Sequence, residues 1–179
     1  TTVRMQMAPM CWLVPRTEFD RRPTWFLFGG LVFQRLTAEF LRIWGEQWWD
    51  KAPKELLHLY FAGERRAERR ELIVLAQVLA DAVNVGYEPF VNDLVVAVNG
   101  HAPVDMADFV ARIDACRGEV VLKLSSGGTV LLVASEARIA QARILQRYRV
   151  PGDRSADLLT SAKTAGPRRR GKTRPTRPG

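Results

Sequence analysis

Histidine is almost missing from this chain, with two in 179 residues, His58 and His101. Nucleophilic catalysis needs a nucleophile, a base within reach and a group that orients the base. His101 follows an Asn-Gly turn and reads as an exposed loop residue; His58, inside LLHLYF, reads as a satisfied, partly buried one. No G-x-S-x-G elbow occurs, and Ser125 and Ser126 precede Gly127-Gly128 in a turn with no histidine nearby. A P-loop, a dinucleotide fingerprint and a metal-ligand cluster are equally missing. The expectation is a chain that is not itself an enzyme and uses no cofactor and no metal.

Cysteine is scarce too. Cys11 and Cys116 lie far apart, which excludes a disulfide framework and suits small buried hydrophobes or free thiols in a reducing, intracellular or organellar setting. No apolar run reaches the roughly 18 residues of a membrane span, because Arg35, Glu39 and Arg42 interrupt the longest candidate. The start shows neither an initiator Met nor a signal-peptide layout, so a fragment of a longer protein is expected. Acidic residues are missing from positions 160 to 179, where seven basic ones cluster. Taking those seven from the 27 basic residues leaves 20 against 19 acidic ones, so the net charge of +8 belongs to a tail. That tail, rich in Pro, Gly, Lys and Arg, cannot build a core and is expected to be disordered. It can attract phosphates, but no aromatic residue lies among its charges, which makes a nucleic-acid partner the weaker alternative.

What is present is patterned for a globular domain, with 47% apolar and 26% charged residues. Residues 1–22 read as a linker or edge strand ending at Pro23. TWFLFGGLVF then reads as a buried strand made irregular by Gly29 and Gly30. FGGL is no phosphate loop, since an apolar strand follows it. From Thr37, a plausible N-cap, Phe40, Leu41, Trp44 and Trp48 recur at helical intervals, with Pro53 beyond the end. ERRAERRE, with its interspersed signs, reads as a solvated stretch. ELIVLAQVL is apolar enough for a buried strand, turning at Gly86, and DLVVAVNG is a strand ending in the Asn99-Gly100 turn. Asp105 is an N-cap candidate for a helix whose Met106, Phe109, Val110 and Ile113 make an apolar stripe, ended by Gly118. EVVLKL and TVLLV, joined by SSGG, read as a hairpin. Ser135 is placed to cap a last helix that stops before Pro151.

The order of these pieces resembles a PDZ domain in the circularly permuted arrangement of the HtrA/Deg (protease Do-like) serine proteases. DLVVAVNGHAPVDMADFVARIDACRGEVVLKLSSGGTVLLV is similar to the half that runs strand, V-N-G turn, groove helix and final strand pair. FLFGGLVFQRLTAEFL, WGEQWW, LIVLAQVLADAVNVGYE and ILQRYRVPGDRSADLL resemble the second, C-terminal PDZ domain of plant-type Deg proteases and their bacterial relatives. The resemblance covers most of residues 12 to 159 and leaves out the basic tail.

It implies an α+β fold, a small antiparallel barrel or sandwich over residues 23–159, with a groove helix, a helical insert over 37–70 and a C-terminal helix. It also implies a place beside a trypsin-like protease domain, whose G-N-S-G-G motif is not in this chain, or else a stand-alone descendant of such an enzyme serving as a protein-interaction adaptor. By the same resemblance Phe28, Gly29, Gly30 and Leu31 occupy the carboxylate-binding loop, glycine allowing close approach of a peptide terminus. A peptide would add as a strand beside Leu31, Val32 and Phe33. Met106, Phe109, Val110 and Ile113 would divide between groove wall and core in a proportion left open. The insert is large for a peptide binder, and the family ties its second PDZ domain to oligomer assembly. Trp44, Trp48 and Trp49 are therefore interface candidates, against the plainer role of filling the insert's own core. The partners implied are protein or peptide segments, neighbouring protease and PDZ domains and further copies of the chain.

Overall fold

The computed structural model describes residues 12–16 and 21–159. The expected basic tail, Cys11 and most of the expected linker lie outside these residues.

Two glycines set the first sheet. Gly29 (φ 55°) and Gly30 (φ 83°) both take left-handed backbone conformations, as a two-residue hairpin turn of the tightest kind demands. FLFGGLVF is therefore not one irregular strand but two, β1 (Trp25–Phe28) and β2 (Leu31–Arg35), with Phe28 opposite Leu31. The misreading has a physical source: apolar residues run without alternation through both strands, so nothing but the glycines marks the reversal. β3 (Ile73–Val78) pairs antiparallel with β2, giving the order β1-β2-β3.

The insert between β2 and β3 is broken where a single helix was expected. Thr37 does cap α1 (Ala38–Leu41), accepting from the Phe40 N–H at 3.1 Å. A 3₁₀ turn (Arg42–Trp44) follows, and Gly45, at φ 93°, ends it. α2 (Trp48–Lys51) stops at Ala52, which is extended before Pro53 because the proline ring disfavours a helical predecessor. Pro53 thus begins α3 (Lys54–Ala62) rather than trailing a helix. Residues 12–16 form one isolated bridge rather than a strand, and strap the insert down through Leu13 N–H to Gly63 O and Ala38 N–H to Pro15 O. Leu13, Val14, Leu36, Phe40, Leu41 and Leu56 fill the core beneath. His58, expected to be partly buried, is exposed on α3.

The second sheet has the order β4-β5-β6, from β4 (Val95–Val98), β5 (Glu119–Leu124) and β6 (Thr129–Val133). Asn99 (φ 47°) and Gly100 (φ 82°) make the turn after β4. Asp105 caps α4 (Met106–Ala115), accepting from the Asp108 N–H at 2.8 Å. The helix ends at Cys116, two residues before the expected Gly118. α5 (Ala134–Tyr148) starts straight from β6, so Ser135 lies inside its first turn and does not cap it. The architecture is α+β with two small antiparallel sheets, joined by a bridge between Val74 and Leu94 rather than closed into a barrel. Phe26, Phe33, Phe109, Leu122 and Leu132 are among the residues of the core between them.

Candidate functional site

The Gly29-Gly30 turn is sealed from both sides. Gly29 N–H donates to Gln141 Oε1 at 3.2 Å, and Gln141 Nε2 returns to Leu27 O at 2.9 Å. Asn84, fully buried, donates from Nδ2 to Gly29 O and Leu79 O, each at 2.8 Å, and accepts from Asp81 N–H at 2.9 Å. Leu79 N–H donates to Gly30 O at 2.7 Å. A side chain at Gly29 would meet Leu132 at 3.0 Å and Ala137 at 3.1 Å. Both carbonyls of the turn and the Gly29 N–H are thus spent inside the protein, and Phe28 and Leu31 are buried.

β2, expected to offer an edge for a peptide, is the central strand of its sheet. Val32 and Phe33 are paired to β1 on one side and to β3 on the other. The outer edge of β1 is covered in turn: Leu27 N–H donates to Asp153 O at 2.7 Å and Ser155 N–H to Trp25 O at 3.0 Å. Arg154 clamps this segment, reaching Asp114 of α4 at 2.7 and 3.1 Å and lying 5.0 Å over the Phe26 ring. Its hydrogen bonds to Asp114 push the guanidinium further above its ordinary range. The space beside β2 is therefore filled by the chain's own β1 and residues 153–155.

On the opposite wall the apportioning left open by the sequence comes out wholly as core. Met106, Phe109, Val110 and Ile113 are all buried, and the Phe109 ring stands 4.9 Å from Phe33 and 6.1 Å from Phe26. The three tryptophans divide. Trp44 packs on Phe40 and Trp48 on Tyr60, both half-buried, while Trp49 is 49% exposed. Phe61 and Ile43, which no spacing singled out, are exposed on the same insert. A cleft of about 780 Å³ lies between the start of β1, the N-terminus of α4 and the 151–158 segment. Arg21 and Arg22 line it, and within it Arg35 pairs with Glu71 at 3.0 Å, Asp105 with Arg70, and Thr24 donates to Asp157 at 2.6 Å. Among the described residues no cluster of three His, Cys, Asp or Glu can hold a metal ion, and no helix is long and apolar enough to cross a membrane.

With this geometry in place, the PDZ domain family matches the chain over residues 14–157. The chain belongs to the PDZ domain family. Relatives of this PDZ domain include protease Do-like proteins of Arabidopsis thaliana. Protease Do-like 2, chloroplastic, is 29% identical over 158 residues, which is 88% of this chain and 26% of the relative. Putative protease Do-like 3, mitochondrial, is 28% identical over 82% of the chain and 24% of the relative, and Protease Do-like 4, mitochondrial, 27% over 86% and 27%. The PDZ domain thus spans about a quarter of the length of these relatives, at a distance typical of remote homology.

Sequence reasoning missed Asn84, Gln141 and Arg154, the residues that hold the Gly29-Gly30 turn and the 153–155 segment in place. Only the Asp81–Asn84 spacing inside an otherwise apolar stretch hinted at a polar anchor. Asp81 is nearly buried, and the Arg143 hydrogen bonds hold its carboxyl below the usual carboxylate range. A carboxyl depressed in the fold adds stability above its unfolded value, near 3.9, and loses it as pH falls through the lower folded value. Asp81→Asn is thus expected to flatten the loss of stability below about pH 4. Urea unfolding midpoints across that range check it; an unchanged slope would show that Asp81 is not a principal acid-sensitive group.

Proposed function

We propose that this PDZ domain is a non-catalytic assembly and regulatory module of a Deg/HtrA-type serine endopeptidase, corresponding to the second PDZ domain of such proteins. The observation that carries the reading is that the strand-addition site beside β2 is filled by β1, itself covered by residues 153–155. A free peptide would have to displace a hairpin that buries Phe26 and Phe28. The insert is accessible, and there Trp49, Phe61 and Ile43 present large apolar side chains of the type that anchors protein interfaces.

The test is size-exclusion chromatography with light scattering on the full chain, alone and with a catalytically inactive Deg protease core from the same source. Calorimetry against a library of C-terminal peptides runs beside it. Co-elution with the core that Trp49→Ala weakens on the order of tenfold, as a hot-spot truncation does, together with no peptide binding, is the expected result. A protein that ignores the core but binds peptides at micromolar concentration would overturn the reading and make the domain a peptide reader.

A further inference from the structure

The second sheet ends on one side in a strand edge that the site above does not use. Leu124 N–H donates to Gly128 O and Ala134 N–H to Gly118 O. These bonds share a phase with the Leu122–Val130 and Val120–Leu132 pairs of the β5–β6 register. In an antiparallel ladder, bonded and non-bonded pairs alternate. The main-chain groups of Thr129, Leu131 and Val133 therefore point away from β5, and among the described residues no strand lies on that side of β6. One side chain does: the Tyr87 hydroxyl donates to Leu131 O at 2.7 Å and accepts from Leu131 N–H at 3.1 Å. A lone phenol stands where a strand would pair.

An open edge is a template for another strand, and proteins usually blunt it with proline, lysine or a bulge. β6 reads TVLLV and pairs with β5 without a register shift, so it carries none of these. Its outward face is self-complementary about Leu131. The cross-strand pairs there are Glu119 with Val133, Val121 with Leu131 and Lys123 with Thr129. Two copies of β6 laid antiparallel about Leu131 place the two leucines side by side, flanked by Val121 of each copy. The outer rows then run Lys123, Thr129, Val133, Glu119 from one copy to the other, with opposite charges at the two ends. Leu131 and Val133, 44% and 38% exposed, come together in the middle.

We propose that β6 pairs with β6 of a second copy of this chain, making one six-stranded sheet about a two-fold axis at Leu131, once the Tyr87 side chain has swung aside. Such an interface is isologous and closes at two copies. The two Leu131 residues exchange the bonds that each gave to Tyr87, and each Val133 N–H donates to Thr129 O across the axis. Gly86, at φ 89° with open space around it, gives the Tyr87 segment its hinge beside the anchored Asn84. This surface is separate from the insert, so it does not depend on the proposed contact with a protease core.

The experiment is sedimentation of the full chain over a concentration series, with hydrogen exchange at the lowest and highest concentrations. Tyr87→Phe removes the hydroxyl that anchors the ring to Leu131, so the ring leaves the edge more readily; dimerisation is expected to tighten on the order of tenfold. Leu131→Lys sets two like charges opposite each other on the axis and is expected to abolish the dimer, in the wild-type and Tyr87→Phe backgrounds alike. Amides of Leu131 and Val133 gain protection with concentration, and Trp49→Ala changes neither result. A Tyr87→Phe protein that associates no more tightly than wild type, a dimer that survives Leu131→Lys, or protection that rises only on the insert would each overturn the proposal. Loss of co-elution with the protease core would count against the assembly reading alone.

Discussion

Gly30→Ala is expected to remove about 4 kcal/mol or more of stability, summed from left-handed strain and broken buried hydrogen bonds. At φ 83° an alanine is strained before any neighbour is considered. Its Cβ would then stand 2.1 Å from Asn84 Nδ2 and 2.5 Å from Leu79 O. Neither atom can yield cheaply: Asn84 is fully buried and bonded to Gly29 O, Leu79 O and Asp81 N–H. Making room breaks that set and leaves buried polar groups without partners, at about 1–3 kcal/mol each. Gly86→Ala is the control, since Gly86 has a similar φ of 89° and nothing within 4 Å of its would-be Cβ. It should cost only the strain, about 1–2 kcal/mol. Urea unfolding of the two variants decides the matter. If they fall within a kilocalorie of each other, the turn is not sealed by Asn84 as described.

The contrast between those two glycines also shows what was legible in the sequence. Both stand at turns that local chemistry announces, but the fixture around Gly30 comes from residues 49 to 54 positions away. Local devices were readable: the Asn99-Gly100 turn, the Asp105 cap, the α4 stripe and the β5–β6 hairpin each involve residues only a few positions apart. Errors arose where local spacing was overruled. Phe40, Trp44 and Trp48 keep helical intervals across Gly45, yet the chain breaks there: Phe40 and Trp44 pack on each other, while Trp48 turns to Tyr60. Ser135 has the chemistry of a cap but sits past the start, because β6 runs into α5 without a loop. The family resemblance put the Gly29-Gly30 turn beside a peptide groove. That β1 and residues 153–155 occupy the place beside it follows from pairings such as Phe26 with Arg154, which no spacing announces.

Phe109→Ala tests that closed groove from the helix side, and a loss of about 3–5 kcal/mol is expected. Phe109 is fully buried, and its ring meets Phe33 of β2 edge-on at 65° and Phe26 of β1 at 87°. Truncation leaves a cavity beneath both strands and removes two aromatic contacts worth about 0.5–1.5 kcal/mol each beyond their buried area. Phe109→Leu, which keeps most of the volume, should lose clearly less. An open groove makes the opposite forecast: a wall residue facing a vacant peptide site could be cut back at little cost, and affinity for bulky peptides would rise. Tryptophan fluorescence during urea unfolding gives the stability of each variant, and calorimetry with the peptide library gives the affinity. A large loss for Phe109→Ala with no gain in peptide binding fits α4 as the core partner of β1. A small loss with new binding would mean that β1 leaves its place beside β2 often enough for the groove to work, and that Arg154, bridging Asp114 and the β1 edge, is the residue to release next.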